Sequence, residues 1–178
     1  MSDPTPTIGA PQDEFSLPAR SDRSPAELVD DGEFDQVHFF IREALDEGAI
    51  EVEATDDDTT FALLPYEHPE NAIGDEAFDL AAEAGFEPAN FRDLLNFAIE
   101  RPGVQREYDI VALGTLRTRQ VFEGREGQTV WDQTERDRSI CQWATGLSNL
   151  KADRTLVPVE IYLDKVLRKD ILLLVRTP

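Results

Sequence analysis

A chain of 178 residues with 40% hydrophobic residues, ten of them Phe, carries enough apolar material for a sizeable core, which excludes global disorder. Its net charge of −20 excludes nucleic acid phosphates and anionic membranes as default partners of the whole surface. A single cysteine, Cys141, excludes an internal disulfide framework and a cysteine-based zinc site.

The longest apolar run, residues 171–175, falls far short of the ~20 residues that span a bilayer, so no membrane insertion is expected. The first residues have neither a basic n-region nor an apolar h-region, so no signal peptide is expected. The expected location is the cytoplasm or the inside of a virus particle. Three Lys stand against fourteen Arg. Dense carboxylates with few lysines suit a high-salt environment, where mutual repulsion is screened.

Residues 1–23 are rich in Pro, Ser, Thr, Asp and Gly and read as an extended N-terminal arm, with 24–178 as a single α+β domain. The arm carries few obvious core formers, so its removal is expected to leave the domain folded. At Ser24-Pro25-Ala26-Glu27 a cap, a first-position proline and a glutamate three residues on signal a helix start. Residues 31–49 place Phe34, Val37, Phe40 or Ile41, and Leu45 at helical spacing, with Gly48 as the stop.

Residues 49–54 and 60–64 then read as two strands of a small hairpin around TDDDT, followed by a loop over 65–74. Two helices follow, from about Asp75 to Ala84 and from about Pro88 to Glu100, joined as an αα-hairpin. From Tyr108 onward the texture is β-rich and mostly antiparallel. Strands are expected in YDIVALG, TLRTRQVF and TVWDQ, and a short helix through ICQWATGL. A terminal hairpin is expected to pair TLVPVEIYLDK with DILLLVR. A β-barrel or jelly-roll with a helical insertion is the alternative arrangement.

Asp56-Asp57-Asp58-Thr59-Thr60 spells the D-x-D-x-T of aspartyl phosphotransferases. That chemistry needs a buried parallel strand before the loop, whereas Glu51 and Glu53 alternate with Ile50 and Val52 in a half-exposed pattern. The stretch reads as a turn. His38 falls among Phe39 and Phe40 and reads as a packed residue. His68 with Glu67 and Glu70 could form a small metal-dependent site, the feature on which an enzyme reading would rest. Cys141 lies in an apolar stretch and reads as inert. No phosphate-binding glycine loop or serine elbow is present, so no catalytic residue, cofactor or resident metal is assigned. The αα-hairpin bears seven acids against two bases, which argues against sequence-specific nucleic acid binding.

Charge is distributed unevenly. Residues 1–100 hold 26 acids and 4 bases, whereas residues 101–178 hold 11 acids and 13 bases. Arg106, Arg117, Arg119, Arg125, Arg136 and Arg138 gather in the second half with Trp131 and Trp143, residue types favoured as interface anchors. These eight form the candidate interface. The expectation is a non-enzymatic structural component that contacts copies of itself or neighbouring subunits. A concrete form is a connector, tail-completion or capsid part of a virion from a halophilic system. An acidic inhibitor that mimics DNA and a metal-dependent enzyme are the rival classes.

Overall fold

The computed structural model describes residues 5–50, 52–56, 58–68, 73–122, 138–150, 153–161 and 170–178. It is an α+β fold built on one open, mixed sheet of nine strands. The strands are β1 (Thr7–Ile8), β2 (Gln12–Ser16), β3 (Gln36–Val37), β4 (Thr60–Glu67) and β5 (Glu87–Pro88). Four more complete it: β6 (Asp109–Phe122), β7 (Arg138–Leu150), β8 (Asp153–Ile161) and β9 (Ile171–Arg176). The main order is β1-β4-β9-β6-β7-β8-β3, with β2 also on β4 and β5 also on β9. The sheet does not close, so the barrel alternative is set aside.

Helices α1 (Pro25–Asp31), α2 (Phe39–Asp46) and α4 (Phe91–Glu100) pack on one face of the sheet. Helix α3 (Glu76–Glu83) places Ala77 and Ala81 on the other. Alternation along the strands divides the core accordingly. Phe61, Leu63, Ile110, Leu172 and Leu174 face the three helices, and Ala62, Leu64, Val111, Leu173 and Val175 face α3.

The start of α1 follows its sequence signal closely. Ser24 and Glu27 form a reciprocal capping box with Pro25 in the first turn. Gly48 and Gly85 end the next two helices with φ of +64° and +86°, the left-handed conformation that favours glycine.

The N-terminal arm is extended, but it is part of the sheet. β1 and β2 pair antiparallel with β4, and Phe15, Leu17 and Ala19 are buried. Phe15 packs against Phe61 and Phe97 at ring distances of 6.3 and 5.5 Å. The expectation of an arm with few core-forming residues is therefore corrected: two large apolar side chains in a polar stretch suffice to dock it.

This docking also removes the expected 49–54/60–64 hairpin. One edge of β4 is taken by the arm and the other by β9, and the described residues of 49–54 form no strand. Among the described residues of that stretch, Ile50 is the buried one. The helix expected across 34–45 begins only at Phe39. Long-range bonds capture the residues before it, with Gln36 and Val37 pairing to β8 and His38 N–H donating to Leu156 O at 2.9 Å.

The αα-hairpin is corrected as well. Between α3 and α4 the chain crosses the sheet through β5, which lies against the end of β9. β9 pairs with β6 over only three residues, Asp109–Val111. Beyond that the two strands part, and Ala89 fills the gap: its N–H donates to Leu174 O and its carbonyl accepts from Gly114 N–H. A Cβ at Gly114 would stand 2.7 Å from the carbonyl oxygens of both Pro88 and Ala89. Gly114→Ala must push these backbones apart, and it is expected to cost about 1–3 kcal/mol, measured by urea unfolding. Wild-type stability would show that the crossing does not need the glycine.

The ICQWATGL stretch is strand, within β7, and not helix. The terminal hairpin is not formed either. β8 pairs with β7 and β3, while β9 lies between β4 and β6, parallel to β6. An unbroken apolar run such as Ile171–Val175, buried throughout, belongs at the centre of a sheet. TVWDQ lies outside the described residues.

Candidate interface ribbon and a polar cleft

β6 and β7 are 14 and 13 residues long and outrun their neighbours. Past Gly114, β6 pairs only with β7 among the described residues, and β8 follows β7 only as far as the Gln142–Ile161 pair. Among the described residues the outer part is therefore a two-stranded ribbon, residues 119–122 against 138–141. At its root Arg117 stands opposite Trp143, which β8 still flanks, and on the ribbon Arg119 stands opposite Cys141 and Phe122 opposite Arg138. The register shifts between Ala112 and Arg117, so β6 leaves the sheet at an irregularity. Leu116, at this exit, is one of the exposed large hydrophobic residues.

Of the eight expected interface residues, Arg117, Arg119 and Arg138 thus lie on the ribbon strands. Arg125, Trp131 and Arg136 lie outside the described residues, in the stretch that joins the strands. Arg106 sits apart, on a short 3-10 turn (Val104–Arg106). Trp143 is 6% exposed and packs in the core beside the ribbon's root, so it anchors the ribbon to the body. Arg154, in the same half of the chain, is tied to the chain's own backbone. Its guanidinium donates to the carbonyls of Gly32 and Ala98 at 2.9 and 3.0 Å and lies over the Phe34 ring. Burial lowers its pKa.

Two further charged groups are internal. Asp93, 1% exposed on its side chain, accepts from Arg176 Nη2 at 2.7 Å and Nε at 3.0 Å, and from Thr55 Oγ1. The same carboxylate accepts from Asn90 N–H and so closes the N-terminal capping box of α4. Arg92, 4% exposed, donates to the carbonyls of Arg20 and Arg23. One turn on, Asn96 donates to Ala19 O, and a further turn on Glu100 pairs with Arg20. This i, i+4, i+8 stripe of α4 holds the segment that follows the arm. Composition counted these residues only as charge. The signals that could have found them are the N-x-x-D cap at Asn90–Asp93 and an Arg-Asp pair inside an otherwise apolar helix.

At the opposite end of β6, a cleft of about 450 Å³ opens where β4 ends and β6 and β9 begin. Its lining includes Gln12, Glu67, His68, Tyr108 and Asp170. Beside it, Glu76 Oε1 accepts from Tyr66 O–H at 3.1 Å and pairs with His68 Nε2 at 3.3 Å. Burial, aided by the Glu76 charge, raises the Tyr66 pKa and keeps the phenol protonated. His68 is thus engaged with Glu76, and Glu70 lies outside the described residues. No group of three metal-ligating side chains gathers among the described residues. In DDDTT, Thr59 N–H donates to Asp56 O at 3.0 Å, closing a turn that enters β4. The loop stands before its strand, where phosphotransferase chemistry needs it after one.

No helix among the described residues is long and apolar enough to cross a membrane. Comparison with protein families, with curated proteins and with solved structures gives no match.

Proposed function

We propose that this protein is a non-enzymatic structural component that assembles with copies of itself, or with neighbouring subunits, through the β6–β7 ribbon. The observation that carries the reading is the ribbon itself, two strands that extend past every other described strand. A two-stranded ribbon alone in water is marginally stable, so an extension of this kind is stabilised by a surface to lie on. Its edges, unpaired among the described residues, offer a template for strand addition, and Arg119 and Arg138, with Arg117 at its root, give it a basic character against an acidic first half.

The polarity between the two halves favours contacts between unlike patches, which close into rings when the rotation allows. A connector, tail-completion or capsid part of a virion from a high-salt setting is the concrete form this reading takes. Reversing Arg117 and Arg119 to Glu sets like charges against the acidic half of the next subunit, which costs several kcal/mol at a desolvated contact. The variant is expected to elute at a lower mass than the unmodified chain while its circular dichroism is unchanged. An unchanged oligomer would remove the ribbon from the interface.

A further inference from the structure

Glu67 and Asp170 lie one step beyond the Tyr66–Ile171 register pair of β4 and β9, on the face that carries Leu172. Tyr108 stands next to Asp170 in the same row, because β6 runs parallel to β9 and Asp109 N–H donates to Asp170 O. The row therefore sets two exposed carboxylates side by side with a tyrosine at its end, over a floor of Pro65 and Leu172. Neither carboxylate takes part in an ion pair among the described residues. Like charges at neighbouring positions of a sheet repel, and a cation set between them reverses that cost. A guanidinium fits this chemistry best, since its planar fork pairs with carboxylates and its face stacks on an aromatic ring.

We infer that this cleft receives an arginine side chain from the β6–β7 ribbon of a second copy. The inference rests on the assembly reading above and names the other half of its contact. The placement supports it. The cleft lies at Tyr108, before the first residue of β6, and the ribbon takes up its last four residues, up to Phe122. At about 3.3 Å per residue the two are roughly 40 Å apart along one strand. A ribbon cannot reach the cleft of its own chain across that length, but it can reach the cleft of the next. Two different patches at opposite ends of one element are what a head-to-tail contact requires.

The test uses two variants that each lose one half of the contact. Glu67→Lys with Asp170→Lys spoils the cleft, and Arg117→Glu with Arg119→Glu spoils the ribbon. Glu67 and Asp170 are exposed, and circular dichroism checks that both variants fold. Each variant alone is expected to be monomeric, with self-association weakened tenfold or more. Mixed in equal amounts, they are expected to form a 1:1 dimer and nothing larger, because one intact ribbon then meets one intact cleft. A cleft variant that assembles like the unmodified chain while the ribbon variant does not would overturn the inference and leave the assembly reading standing. Two monomeric variants that stay monomeric on mixing would also overturn it. An unmodified chain that is itself monomeric would overturn both.

Discussion

Removing residues 2–19 is expected to abolish cooperative folding. The segment supplies Phe15 and Leu17 to the core and two strands to the open edge of β4. Burial of one Phe or Leu side chain is worth about 1.5–3 kcal/mol, so these two contribute roughly 3–6 kcal/mol. Their loss also bares Phe61 and Phe97, which are 2% and 0% exposed in the intact fold. The carbonyls of Ala19, Arg20 and Arg23 accept from Asn96 and Arg92, and truncation leaves part of this buried polar set without partners. Domains of this size have a stability of about 5–15 kcal/mol, so the deletion removes a large share of it. Thermal melting followed by near- and far-ultraviolet circular dichroism reads the result. A sharp transition at the wild-type midpoint would show that the arm is an accessory.

The second large effect belongs to the Asp93–Arg176 pair. Arg176→Met leaves a carboxylate that is 1% exposed without this counter-charge, held among the described residues by Thr55 and the Asn90 amide. Breaking a buried pair from one side costs about 3–5 kcal/mol. Asp93→Ala is also expected to be strongly destabilising, because it strands the Arg176 guanidinium and removes the carboxylate half of the capping box of α4, which Asn90 otherwise still caps. Since α4 is buried along almost its whole length, a frayed first turn disturbs packing on both the arm and the sheet. The double variant should be less destabilised than the sum of the two, which a urea-unfolding cycle measures. Additive losses would mean that the two side chains do not act as a pair.

How much of this was legible before the fold was known depended on the range of the interaction concerned. Local chemistry was readable. The Ser24–Glu27 box, the stops at Gly48 and Gly85 and the apolar stripe of α4 all follow from residues within one or two turns. Pairing was not readable, because it depends on which strand reaches an edge first. Residues 49–54 have a strand's alternation, yet the arm and β9 occupy both sides of β4. The two terminal strands look like a hairpin in sequence. Ile171–Val175, however, has no polar face to give to solvent, so the centre of the sheet is the place that satisfies it.

The charge reading divides in the same way. Counting could show that arginines collect after residue 100, but not that Arg154 and Arg176 are bound within the chain while Arg117, Arg119 and Arg138 lie on the ribbon strands. Gly114 was visible as a break. Its reason, the close passage of Pro88 and Ala89 through the sheet, lies in a contact with residues far away in sequence.

The central claim is that the ribbon joins copies or neighbours into an assembly, and the mass of the unmodified chain in solution tests it most directly. Light scattering over a range of protein concentrations, at dilute and at molar salt, should give a mass several times the 20.0 kDa of one chain. Salt should shift the equilibrium, because charges on the ribbon and the acidic half contribute to the contact. A mass of one chain at every concentration and both salt levels, with no larger partner bound, would contradict the account.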